Sequence, residues 1–291
     1  RERGVLDEYA EMCRYQNERQ RKNNEDFSDE DLTVDEQENI DSGKEQNLKR
    51  ENTQNEQIKD MINEGIDVLF LQPVDRNKVR PALELCKKKH IPVVVIDSEV
   101  SDTEAVVSTI VSDNYDAGVQ CAKDMMKKKT SANIIIVNQK ALNSINERVK
   151  GFRDTIKGHP QYKIVEEKES AAEFEIAMKV MEEIIYEKKN YDVVMGGNDP
   201  IALGCIAAMQ MTDKTDQVMV YGVDGSPDGK AMIKAGFLEG TAAQSPIKIG
   251  EKAVKTAYSY LAGETVKKHV TIPVELITAD NLKLYDMTGW Q

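Results

Sequence analysis

The stretch Tyr191–Ala208, YDVVMGGNDPIALGCIAA, decides how the rest of the chain reads. Tyr191–Met195 is short and mostly apolar with two β-branched residues, which predicts a buried strand. Gly196 and Gly197 let the backbone turn tightly and leave the strand end uncrowded. Asn198 or Asp199 can cap the helix that follows, with Pro200 in its first turn. Ile201, Leu203, Ile206 and Ala207 give that helix an apolar face. A polar side chain at the carboxyl end of a buried parallel strand is where open α/β sheets bind ligands. Asn198 therefore has two readings, a helix cap and a ligand-facing amide.

The same alternation continues on both sides of this stretch from Arg50 onward. Strands are predicted at Val68–Leu71, Pro92–Ile96, Val106–Val111, Asn133–Val137 and Tyr162–Glu167 before it, and at Gln217–Tyr221, Glu239–Ala243 and Thr271–Ile277 after it. Helical patterns fall between them, at Gln54–Asn63, Lys78–Lys89, Tyr115–Lys128, Ser144–Lys157, Phe174–Lys188, Pro227–Ala235 and Ile247–Ala262. Strands separated by helices of this length imply doubly wound parallel sheets covered on both faces. The number of units calls for two such sheets. Residues 1–49 stand apart as an acidic N-terminal segment, helical or disordered. Gly4–Lys22 carries Leu6, Tyr9, Met12 and Cys13 at helical spacing. Glu25–Asp41 is rich in acids without Lys or Arg, a composition of solvated chain.

The chain has 291 residues, of which 40% are hydrophobic, enough for a large core, and a net charge of −12. That charge argues against a nucleic-acid surface and against anionic membranes. The four cysteines, Cys13, Cys86, Cys121 and Cys205, form no CxxC motif, and three of them lie in helical patterns as buried thiols. No GxGxxG, GxxxxGK[ST] or GxSxG motif is present. The residues give no positive sign of an enzyme, a metal site or a cofactor.

Polar groups gather instead where strands end. Asp97 closes one strand, Asn198 another, Asp224 a third and Gln244 a fourth, while Arg148 lies in the first half of a helix. Carboxylates, amides and a guanidinium suit a polyhydroxyl ligand, because together they accept and donate in fixed directions. Phe174 is the candidate for stacking on a sugar ring. Taken singly, each has a plainer reading: Asp97 and Asp224 as turn residues, Arg148 as surface, Phe174 as core. Their recurrence at equivalent strand ends points to a binding cleft.

Seven segments carry a resemblance: QIKDMINEGIDVLFLQPVD at Gln57–Asp75, IPVVVID at Ile91–Asp97, VSDNYDAG at Val111–Gly118, ERVKGF at Glu147–Phe152, GNDPIALG at Gly197–Gly204, VYGVDGSPDG at Val220–Gly229 and TAAQSPIKIG at Thr241–Gly250. In this order they resemble the type I periplasmic sugar-binding proteins of ABC transporters, the ribose-binding group in particular. The resemblance implies two doubly wound lobes, 50–112 plus 246–274 and 113–245 plus 275–291, joined by a three-segment hinge. Its crossings would fall near Ser112-Asp113, Gln244-Ser245 and Val274–Leu276. It implies a non-enzymatic, extracytoplasmic, monomeric subunit without a cofactor, which captures a monosaccharide and presents it to a permease. The alternative is a sugar-sensing module of a receptor or sensor kinase. The ligand positions it implies are Asp97, Arg148, Phe174, Asn198, Asp224 and Gln244. Ser98 stands where the ribose binders have Arg, and Val223 where they have Phe. The family's first strand, central to the first sheet, is missing or replaced in residues 1–50.

Overall fold

The computed structural model describes residues 49–212 and 218–290, which lie in one compact unit, Asn47–Gln291. The helical reading of Gly4–Lys22, the solvated reading of Glu25–Asp41, Cys13 and the replaced first strand fall outside the described residues. Helix α1, at residues 49–64, leads into strand β1 (Leu69–Leu71), α2 (Arg80–Lys88), β2 (Val93–Ile96) and β3 (Val106–Ser112). Then follow α3 (Asn114–Lys128), β4 (Ala132–Asn138), α4 (Asn143–Ile156), β5 (Tyr162–Glu169), α5 (Phe174–Tyr186), β6 (Val193–Gly196) and α6 (Asp199–Gln210). The chain ends with β7 (Met219–Asp224), α7 (Pro227–Ala235), β8 (Gly240–Ala243), α8 (Pro246–Leu261), β9 (His269–Ile272) and β10 (Glu275–Thr278).

The strands form two sheets. The first has the order β1-β2-β3-β9 and is parallel throughout. The second has the order β10-β8-β7-β6-β4-β5, parallel except for β10, which runs antiparallel to β8. The inner strands of both sheets are covered on two faces and are apolar on both sides, whereas the edge strands β1, β5 and β9 keep exposed positions between their more buried ones. Val93, Val94 and Val95 of β2 are fully buried, as are Ile134, Ile135, Ile136 and Val137 of β4. Each such side chain contributes roughly 1.5–3 kcal/mol by leaving water.

The chain passes between the sheets three times: from β3 into α3, from β8 into α8, and from β9 into β10. The third passage differs from the single strand expected at Thr271–Ile277. Pro273 has no N–H to donate to a ladder, so pairing stops at Ile272. It resumes at Glu275 in the other sheet.

In the six-stranded sheet the chain goes from β4 outward to β5, then returns to the far side of β4 with β6. The carboxyl ends of β4 and β6 are thus a topological switch point, where diverging loops leave a crevice. Helix α4, which follows β4, is held there by close backbone contact with α3. A Cβ placed on Gly118 of α3 would lie 1.8 Å from the carbonyl oxygen of Arg148. Only glycine permits that approach, so Gly118 fixes how far α4 stands from the crevice.

Candidate ligand-binding cleft

Arg148 projects from the first half of α4 and is 3% exposed. A guanidinium so deeply buried needs partners for its fork of N–H groups. Its Nε donates to Asn114 Oδ1 at 2.9 Å, at the start of α3. Its Nη1 donates to the Gly197 carbonyl at 2.9 Å, at the end of β6, and lies 3.4 Å from Asp224 Oδ1. One side chain therefore ties together three elements at the switch point.

Asp224 ends β7 with φ at 146°, a backbone conformation side chains rarely adopt. Asp97 follows β2 with φ at 65°, in the left-handed region. Such positions cost of order 1–3 kcal/mol and concentrate at functional sites. Gln244, just past β8, donates to Asp224 Oδ1 at 2.7 Å and accepts from Ser112 Oγ at 2.8 Å. The bond from Ser112 links the first two passages between the sheets. Burial pushes the Asp224 carboxyl up to about 7, with the Arg148 charge opposing it and the carboxylates of Asp199 and Asp97 adding to it.

Asp97 reaches the same gap from the four-stranded lobe. Its backbone N–H donates to Ile110 O, and its Oδ2 accepts from Gln72 Nε2 at 2.9 Å. Its neighbour Ser98 is fully buried, and Ser98 Oγ accepts from the Ser144 N–H at 3.2 Å. Ser144 lies one helical turn before Arg148, so this contact sets Asp97 opposite the Arg148–Asp224 pair. Asn198 caps α6 through Oδ1, which accepts from the Ile201 N–H at 3.0 Å. Its Nδ2 makes no hydrogen bond among the described residues, so capping leaves the amide donor available. Phe174 differs in kind. It opens α5, half-buried at the margin of the apolar core. A Cβ on Gly204 of α6 would lie 2.3 Å from the Phe174 carbonyl oxygen, so glycine there sets where the ring starts.

Asp199, read from sequence only as an alternative cap, has a larger part. It is fully buried, and its carboxylate accepts from Ser226 N at 2.9 Å, Ser226 Oγ at 2.6 Å and Thr241 Oγ1 at 2.6 Å. It stitches the ends of β6 and β7 to Thr241 within β8, beneath the crevice. Burial raises its carboxyl above the ordinary range, against the pull of those three donors. Gln72 and Asn114 also belong to the cleft and were not singled out in the sequence. Gln72 follows β1 as Asp97 follows β2, so the strand-end rule applied once more would have found it.

Along one side the lobes touch directly. The Arg76 N–H donates to Ala141 O at 3.0 Å, and Arg76 Nη1 donates to Asn143 Oδ1. Asn143 Nδ2 in turn donates to Glu99 Oε2 at 2.6 Å, and the other Glu99 oxygen lies 2.7 Å from His269 Nε2. Arg50 pairs with Glu173.

A family model for the periplasmic binding protein domain matches residues 23–265. The chain belongs to that family. Among curated relatives of this periplasmic binding protein domain, the ribose import binding protein RbsB of Escherichia coli (strain K12) is 30% identical over 223 residues, covering 76% of this chain and 74% of the relative. An ABC transporter solute-binding protein from Agrobacterium vitis, solved with bound D-fucose, superposes with a TM-score of 0.73 at 29% identity, covering 79% of this chain and 81% of the other. Another from Bacillus halodurans C-125, with bound myo-inositol, gives a TM-score of 0.74 at 25% identity and covers 80% and 81%. Among the described residues no helix is long and apolar enough to cross a membrane.

Proposed function

We propose that this chain is the solute-binding subunit of an ABC importer and captures a monosaccharide in the cleft between its two lobes. The observation that supports it most is the convergence of Arg148, Asp224 and Gln244, with Asn198 beside them, at the carboxyl edge of one sheet, faced by Asp97 from the other. In this reading Asp97 and Asp224 accept from ligand hydroxyls, Arg148 and the amides of Asn198 and Gln244 donate, and Phe174 offers an apolar face. The lobes are 50–112 plus 246–274 and 113–245 plus 275–291, and they close about the three passages as about a hinge. The protein works as a monomer outside the cytoplasm, turns over no substrate and hands its ligand to a permease that recognises the closed form.

Calorimetric titration against pentoses, hexoses and cyclitols tests this, and the ligands named for its relatives make ribose, D-fucose and myo-inositol the first to try. At least one is expected to bind. Asp224→Ala and Asn198→Ala are expected to abolish that binding while the circular dichroism spectrum is retained. Unchanged affinity in both variants would remove the cleft from the argument.

A further inference from the structure

We infer that the ligand of this cleft carries a protonated amine as well as hydroxyls, as an amino sugar or aminocyclitol does, with the ammonium held between Asp97 and Asp224. This rests on the reading just given and narrows its ligand class. The argument is one of charge. Two carboxylates face the gap from opposite lobes, and a third, Asp199, lies buried beneath it. Among the described residues Arg148 is the cation that faces Asp97 and Asp224, and its Nε and Nη1 are already engaged by Asn114 and the Gly197 carbonyl; a second buried cation, Lys230, acts on Asp199. Its approach to Asp224 is 3.4 Å, long for a charge-assisted pair. Gln72 and Gln244 supply one amide N–H each, which orients Asp97 and Asp224 without neutralising them. Beside Asp97 stands a neutral side chain, Ser98, whose oxygen is occupied by the Ser144 N–H.

Closing two lobes over Asp97 and Asp224 removes water from two carboxylates that, among the described residues, share one guanidinium. An ammonium has three N–H donors and no acceptor, so it supplies both the charge and the hydrogen bonds the two carboxylates lack. A neutral sugar would leave that imbalance standing.

The test is calorimetry on the whole protein with matched pairs: D-glucose and D-glucosamine, D-galactose and D-galactosamine, myo-inositol and an amino-deoxy-inositol. The amine is expected to bind at least about tenfold tighter in the pair that fits. Asp97→Asn is expected to shrink that ratio severalfold, because it removes one of the two charges while keeping an oxygen acceptor. If the neutral member of the fitting pair binds as well or better, the inference is overturned and the sugar-binding reading stands. If no member of any pair or of the neutral panel binds, the sugar-binding reading fails and this inference with it. Should Asp97→Asn leave the ratio unchanged, the ammonium does not sit where it is placed here.

Discussion

The two lobes face the same gap with different degrees of preparation. In the six-stranded lobe the cleft residues hold one another: Arg148 is fixed by Asn114 and Gly197, Asp224 by Gln244, and Asp199 ties β6, β7 and β8 together. That network exists before any ligand arrives. In the four-stranded lobe Asp97 has Gln72 as its side-chain partner and is otherwise positioned by its own backbone. Ser98, Glu99 and Arg76 carry ties from this lobe to the opposite one, while Glu99 and Arg76 also hold His269 and Ser101 of their own lobe. One side is held by its own side-chain network, and the other has fewer side-chain bonds of its own at the gap. Preorganisation lowers the cost of binding, so the networked side should carry affinity and the opposing lobe should govern residence.

The strongest way to break this contrast is Arg148→Ala. It leaves Asp224, Asn114 and the Gly197 carbonyl without their buried partner, and a loss of about 3–5 kcal/mol is expected for such a break. Thermal unfolding should show it as a large fall in Tm without ligand, alongside lost binding. A Tm near that of the parent would mean the network is not self-supporting. The pH dependence of stability follows next. The Asp224 carboxyl is raised to about 7 in the folded chain, mainly by burial, against an ordinary value near 3.8 in the unfolded one. Between those values the folded state binds more protons, so its contribution to stability is complete below pH 4 and is lost as pH rises through 7. Urea unfolding at pH 5 and pH 8 should show greater stability at the lower pH, and Asp224→Asn should flatten that difference.

Smaller effects are expected on the other side. Gln72→Ala should weaken ligand binding by about tenfold, near the ~1.4 kcal/mol of one hydrogen bond to a charged group, with Tm unchanged. Arg76→Ala, which removes contacts along the line where the lobes touch, should speed ligand release a few-fold and leave the association rate alone. Stopped-flow kinetics separate the two. Equal Tm losses for Gln72→Ala and Arg148→Ala would erase the distinction between the lobes.

Much of this fold was legible because the inner strands of both sheets are buried on two faces. Runs such as VVVI at Val93–Ile96 and IIIV at Ile134–Val137 are then continuous and unmistakable, and polar residues follow both, Asp97 after the first and Asn138 after the second. The candidate site was legible to the extent that its side chains follow the strand-end rule, which points to Asp97, Asn198, Asp224 and Gln244, whose role in binding the experiments above test. Asp199 was read too modestly, since a carboxylate at a helix start looks like a cap whether it meets solvent or three buried donors. Arg76 and Asn143 gave no signal at all. Both lie outside strands, and their partnership spans two segments 67 residues apart that only the tertiary fold brings together. The split of Thr271–Ile277 into two strands had a marker in Pro273, but a proline alone does not say that the chain changes sheets.

The three passages between the sheets also bear on how the chain is made. Strands β9 and β10 complete the four-stranded and the six-stranded sheet respectively, and both lie within residues 269–278. During synthesis, therefore, each layer waits for its last member until the same short piece leaves the ribosome. A chain cut after Lys268 would be left with two unfinished layers instead of one.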